Sequence, residues 1–276
     1  MKKNILKYWK SVIYLLVVSA FCFSAYKVIS LTLKAKGEQD TFSKLAAIVF
    51  ENESANGSGK SARDNKYAGN SNETGAFEKV IKTKDILPQY KLLYEQNKDF
   101  YGWISIENTP INYPVMYTPQ ESEYYLRRDF YKNDSQSGTP FLDGECQSDG
   151  SYLLIYGHNM KNNTMFGSLT DYADMSFCKE HSVICFDTCY EQRVYEVFAT
   201  FYSQLDKSDE KEVFRYYDYK DLSDSDVFEE YIAQVKAYAI YDTGVNIEFG
   251  DQILVLSTCS YHRADGRFVV VAKRVS

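Results

Sequence analysis

Apolar positions follow three different rules in three stretches of this 276-residue chain. From Val12 to Leu33 they run almost unbroken, interrupted mainly by Lys27 and a few hydroxyl residues. A helix rises about 1.5 Å per residue, so that run is long enough to cross a hydrocarbon core of about 30 Å. Thr41 to Phe50 (TFSKLAAIVF) then has the spacing of a short amphipathic helix. Residues 51–75 contain no Leu, Ile, Val or Phe. Such a segment has no apolar surface with which to offset its chain entropy, and a flexible tether is expected.

Order is expected to resume near Phe77. Residues 77–97 carry helical patterning, broken around Pro88, with Tyr90, Leu93 and Tyr94 on one face. Beyond them the pattern changes to short apolar or alternating runs between turn residues. These runs predict strands at 101–106, 111–115, 138–142, 151–156, 182–187, 193–203, 235–242, 252–258 and 267–274. Residues 164–174 and 223–234 read as helices, with Asp224 or Ser225 capping the second. Many short strands at close spacing favour a closed barrel or sandwich over alternating βαβ units. The abundance of tyrosine (25) and scarcity of proline (5) agree with a strand-rich second half.

Charge sharpens the division. Residues 1–36 hold seven lysines and no acid, so the remainder carries 24 basic and 38 acidic residues, a net of −14. A surface that acidic lacks the basic footprint nucleic-acid binding needs, and no nucleic-acid partner is expected. Lys2, Lys3, Lys7 and Lys10 precede the apolar run and assign that end to the cytoplasm. A cleaved signal peptide would have a shorter apolar core and a small-x-small site, which Ser24-Ala25-Tyr26 matches poorly. Bulky Phe21 before Cys22 does not suit a lipidated cysteine. The expected division is 1–10 cytoplasmic, 11–33 transmembrane anchor, 34–76 extracellular tether and 77–276 catalytic domain.

The chemistry gathers near the C-terminus. Cys259 follows the apolar run Ile253-Leu254-Val255-Leu256 by way of Ser257-Thr258, and Arg267 opens the next run after seven intervening residues. If the two strands pair, these side chains share a face roughly 5 Å apart. A thiol is a workable nucleophile near neutral pH, but it needs a proton donor for the leaving amine and a donor-rich pocket for the oxyanion. Arginine suits the second need because it stays protonated. Three histidines compete for the first: His158 after a strand, His262 in the turn beside Cys259, and His181 remote from both. Spacing alone does not choose among them. Singly, a buried cysteine, a surface histidine and a solvated edge arginine are each the commoner reading.

Cys146, Cys178, Cys185 and Cys189 read as structural, paired or as buried thiols. Their spacing does not suit zinc, no CxxC is present and the acids form no EF-hand loop, so neither metal nor cofactor is expected.

Several ordered segments resemble one family. Val255-Leu256-Ser257-Thr258-Cys259 resembles the TLxTC signature of sortases, the cysteine transpeptidases of Gram-positive surfaces, with Val255 in place of the first Thr. Asn97 to Ile104, Ile111-Asn112-Tyr113-Pro114-Val115, Tyr156-Gly157-His158-Asn159-Met160 with Met165-Phe166-Gly167, and Arg267-Phe268-Val269-Val270 are similar to class B segments. The likeness covers about 83–276. It implies a mainly β fold, a closed sortase-like barrel of about eight strands with peripheral helices behind a transmembrane helix.

The resemblance also implies roles: Cys259 as nucleophile, His158 as general acid/base, Arg267 as oxyanion stabiliser, and Leu126, Tyr156, Ser257 and Thr258 lining the substrate groove. The segment near 204–234 would wall that groove. Glu121-Ser122 stands where the family often has Asp-Asn, which leaves the substrate motif open between NPxTx and LPxTG types. The implied partners are surface proteins with a C-terminal sorting signal, and a peptidoglycan-precursor amine or pilin lysine as acceptor. A water-accepting cysteine protease and an inactive membrane-tethered peptide-binding domain are the alternatives.

Overall fold

The computed structural model describes residues 2–55, 85–204, 214–261 and 265–276. It divides into two compact units, Met1–Ser43 and Lys44–Ser276. The first helix, α1, runs Lys2–Ala55. Within it, Ile13, Leu15, Leu16, Val17, Phe21, Val28 and Ile29 are exposed, and from Ile13 the helix is long and apolar enough to cross a membrane. The short helix expected at Thr41–Phe50 is part of α1, and α1 also continues through residues 34–55, a stretch expected as tether. In the second unit its Leu45 and Val49 are buried. The rest of the expected tether, 56–76, lies outside the described residues, as does 77–84 of the helical pattern before Pro88.

The second unit is built on eight strands: β1 (Phe100–Ser105), β2 (Asn112–Met116), β3 (Phe141–Leu142), β4 (Tyr152–Tyr156), β5 (Val183–Thr188), β6 (Val194–Gln204), β7 (Ile253–Cys259) and β8 (Gly266–Arg274). They close into a barrel in the order β1-β2-β3-β4-β7-β8-β6-β5, with β5 pairing back to β1. Closure removes the exposed edges a sheet this size would otherwise present. Most pairings are antiparallel, but β2·β3 and β4·β7 are parallel. β7 is central, flanked by β4 and β8, and all of it except Cys259 is buried. That explains its unbroken apolar run: a strand covered on both faces shows no polar alternation.

Helices decorate the barrel. α2 (Pro88–Gln96) starts at a proline, which suits a first helical turn, and buries Tyr90 and Leu93. The Tyr90 hydroxyl donates to Asp187 of β5 at 2.6 Å, tying the helix to the wall. A 3-10 turn at Gly167–Ala173 and the short α3 (Met175–Glu180) replace the single helix expected at 164–174. α4 (Ser225–Tyr238) is capped by Asp224, whose carboxylate accepts from the amides of Asp226 and Val227, an arrangement worth about 1 kcal/mol.

One expected strand is absent. Residues 235–238 of the run read as a strand at 235–242 form the last turn of α4, and Ala239 ends it. Buried Phe228, Tyr231, Ile232 and Val235 continue a helical i, i+3, i+4, i+7 stripe, and burying each contributes roughly 1.5–3 kcal/mol. That stripe outweighs the local β preference of Val235, Tyr238 and Ile240. Ile240 donates one backbone hydrogen bond to Thr200 of β6, at 2.9 Å.

Candidate active site

Cys259 is the last residue of β7, and Arg267 is the second of β8. They are direct partners in the antiparallel register. Paired Cα atoms in such a ladder lie about 4.5–5.5 Å apart with side chains on one face. On the other side of β7, parallel β4 sets Tyr156 opposite Ser257. His158 lies two residues past Tyr156, and Cys259 two past Ser257. The three residues therefore sit at the ends of three adjacent strands, whose axes are about 4.8 Å apart.

Bonds outside the ladders hold the histidine turn against β7. The Gly157 amide donates to Ser257 O at 3.1 Å, and the Thr258 hydroxyl donates back to Gly157 O at 2.8 Å. The Asn159 carboxamide donates to Cys259 O at 2.8 Å. From below, Phe166 donates its amide to His158 O at 2.9 Å. A side chain at Gly157 would collide with the Phe166 ring, its Cβ lying only 2.6 Å from ring carbons, so glycine permits this close packing.

The imidazole Nε2 of His158 lies 2.8 Å from the main-chain oxygen of Leu126. A carbonyl only accepts, so Nε2 carries the proton, and in the neutral ring Nδ1 holds the lone pair. Burial lowers the His158 pKa below its ordinary value; the Leu126 bond opposes this, and the Arg127 and Arg267 guanidiniums add to it. The ring is therefore predominantly neutral at pH 7.

The four residues expected along the groove divide. Leu126 and Tyr156 are half-buried, and Leu126 meets the site through its main-chain oxygen. The Tyr156 hydroxyl donates to Asp143 at 3.2 Å, at the edge of a cleft of about 460 Å³ formed with Glu145, Tyr217, Asp218 and Lys220. Lys220 pairs there with Asp143 at 3.1 Å and Glu145 at 3.2 Å. Ser257 and Thr258 are buried, at 1% and 2% exposure. The Ser257 hydroxyl is 2.7 Å from the Tyr216 hydroxyl, and that of Thr258 is bonded to Gly157, so both support the strand ends from within.

Three neighbours of the site went unassigned in the sequence. Asn159 stood in a recognisable segment without a role. Tyr216, whose phenol is raised by burial and feels Arg267 and Cys259, was one of 25 tyrosines and carried no signal. Tyr261 reaches Asn159 O with its hydroxyl at 3.1 Å. Of the competing histidines, His262 lies outside the described residues. His181 is buried at the end of α3, its ring packed on Phe177 and its Nδ1 donating to Glu107 O at 3.0 Å.

The six cysteines, all among the described residues, form no disulfide. Burial pushes the Cys146 and Cys189 thiols up to about 12 and raises that of Cys178, which leaves these three protonated and unreactive. Among the described residues no three or more His, Cys, Asp or Glu side chains group to hold a metal.

Comparison with known proteins bears on the family and the fold. The sortase-domain family model matches residues 104–275. Sortase B of Staphylococcus aureus is 32% identical over 192 residues, 68% of this chain and 75% of that protein. The solved Staphylococcus aureus sortase B–substrate complex superposes with a TM-score of 0.70 at 26% identity, covering 88% of this chain and 99% of its own. A sortase B structure complexed with triglycine superposes with a TM-score of 0.69 at 26% identity, covering 88% and 99%.

Proposed function

Because the chain belongs to the sortase family, and is a cell-wall sorting transpeptidase similar to class B members, we propose that Cys259, His158 and Arg267 carry out its reaction through a thioester. The observation that carries this reading is the register: Cys259 faces Arg267 across β7–β8 while parallel β4 ends in the turn bearing His158. Leu126 and Tyr156 would contact the bound sorting signal, and Ser257 and Thr258 would hold the strand ends beneath it.

In the first half-reaction the Cys259 sulfur attacks the carbonyl carbon of a Thr in the sorting signal. Arg267 donates to the developing oxyanion, where a positioned cation acts more strongly than in bulk water. The C–N bond breaks, and His158 protonates the departing amine. In the second, an amino group attacks the thioester, His158 takes its proton, and an amide replaces the thioester. With Nε2 bonded to Leu126 O, Nδ1 is the nitrogen left to exchange that proton. The burial of His158 keeps its imidazolium fraction small at neutral pH, so turnover is slow.

Solved relatives with a substrate and with triglycine support a peptide donor and an amine acceptor for this chain. The apolar helix from Ile13 is the candidate membrane anchor, with the catalytic unit on the outer face and residues 1–10 in the cytoplasm. The test mixes the full chain with peptides of the NPxTx and LPxTG types and reads intact mass. An acyl adduct on Cys259, absent in Cys259→Ala and discharged to a new amide by triglycine, is expected. Release to the free acid alone, whatever amine is added, would make the protein a protease. No adduct with any such peptide would leave a binding domain.

A further inference from the structure

Two residues past the nucleophile stands an aromatic side chain the reaction above leaves unused. Tyr261 is 71% exposed, yet its hydroxyl is held, donating to the main-chain oxygen of Asn159 at 3.1 Å. Asn159 directly follows His158, so the Tyr261 side chain bridges the end of the nucleophile's strand and the general base's turn. A second bond, from the Asn159 carboxamide to Cys259 O at 2.8 Å, fastens the same two segments and fixes what the ring spans. A tyrosine in this place presents an apolar, electron-rich face to water two residues past the nucleophile.

Building on the transpeptidase reading, we propose that Tyr261 selects the acceptor: its ring admits a primary amine to the thioester in preference to water. In that step the amine nitrogen forms a bond to the acyl carbon as the carbon–sulfur bond breaks. One amine proton passes to His158, and a proton returns to the Cys259 sulfur. Since His158 receives the proton, the amine arrives on the imidazole side of the acyl group, and Tyr261 is tied to the residue that follows that imidazole. An aromatic face attracts the acceptor as its ammonium and packs against the neighbouring methylene, whereas water gains no comparable contact; the ammonium releases one proton to solvent, and the neutral amine then attacks. The ring thus concentrates amine over water where both compete for one acyl-enzyme. An α-amine on glycine or a lysine ε-amine fits this chemistry equally.

The test is a partition experiment on the full chain. Cys259 is acylated with a peptide of the NPxTx or LPxTG type in the presence of triglycine, and the amide and free-acid products are weighed against each other. Tyr261→Ala is expected to lower the amide-to-acid ratio about three- to fivefold, the range of an exposed cation–π contact. Tyr261→Phe, which keeps the ring and drops the tie, is expected to stay within about twofold. An unchanged ratio in Tyr261→Ala, or an equal fall in Tyr261→Phe, overturns the role of the ring while leaving the Cys259 chemistry intact. Failure of the unaltered chain to form the adduct overturns both.

Discussion

Gly157 offers a direct test of how tightly the histidine turn is set. A methyl group there would sit 2.6 Å from Cδ2 and Cγ of Phe166. Carbon atoms in ordinary contact stay about 3.5 Å apart, so either the ring or the turn must yield by about 0.9 Å. Phe166 is fully buried, whereas His158 and Asn159 are half-buried, so the turn is the part that moves. Overpacking of this kind costs about 1–3 kcal/mol of stability. A displacement of about 1 Å in a reacting group lowers the rate about 100-fold. Gly157→Ala is therefore expected to remain folded and to acylate about 100-fold more slowly. Single-turnover thioester formation, read by quenched mass spectrometry beside a thermal melt, measures both effects. Shrinking the obstacle supplies the control: Phe166→Leu added to Gly157→Ala should recover part of the rate despite its own loss of stability. Acylation by Gly157→Ala at the unaltered rate would refute the reasoning, as would a double variant no faster than the single one.

Asn159→Ala removes the 2.8 Å bond to Cys259 O and should cost about 1 kcal/mol in urea unfolding, with acylation slowed more than peptide binding; an unchanged kcat with raised KM would contradict its positioning role. Burial holds the His158 pKa below its ordinary value. As pH falls from about 6.5 the unfolded chain takes up this proton before the folded chain does, so that contribution to stability is present above 6.5 and lost through the lower, folded pKa. Urea midpoints should accordingly show an acid-side decline that is shallower in His158→Gln, and an identical decline in both would assign it elsewhere. Because no disulfide joins the cysteines, the denatured, unreduced chain should take up six equivalents of iodoacetamide, and any smaller whole number would reveal a covalent pair or a blocked thiol.

Much of the barrel was legible because its strands obey local rules. The run at 253–256 is apolar without alternation, and the structure covers β7 on both faces. Asp224 before an apolar helical stripe announced a capped helix, and α4 begins there. The reading of 235–242 as a strand failed because Val235 belongs to two patterns at once. Its β-branched side chain favours a strand, while its spacing from Phe228, Tyr231 and Ile232 favours a helix, and packing decided for the helix.

The candidate site shows the same boundary. The sequence by itself determined which chemical groups are present, the closeness along the chain of the Cys259 and Arg267 strands, and the apolar N-terminal span. Those features depend on residues close together along the chain. Spacing left three histidines in contention, and only the parallel β4–β7 register sets His158, 101 residues before Cys259, at the adjacent strand end. The burial of Ser257 and Thr258, the Leu126 carbonyl behind the imidazole, and Tyr216 beneath the nucleophile's strand were likewise decided by the closed barrel. Contacts between residues far apart in sequence depend on how the sheet closes, and no local periodicity encodes that closure.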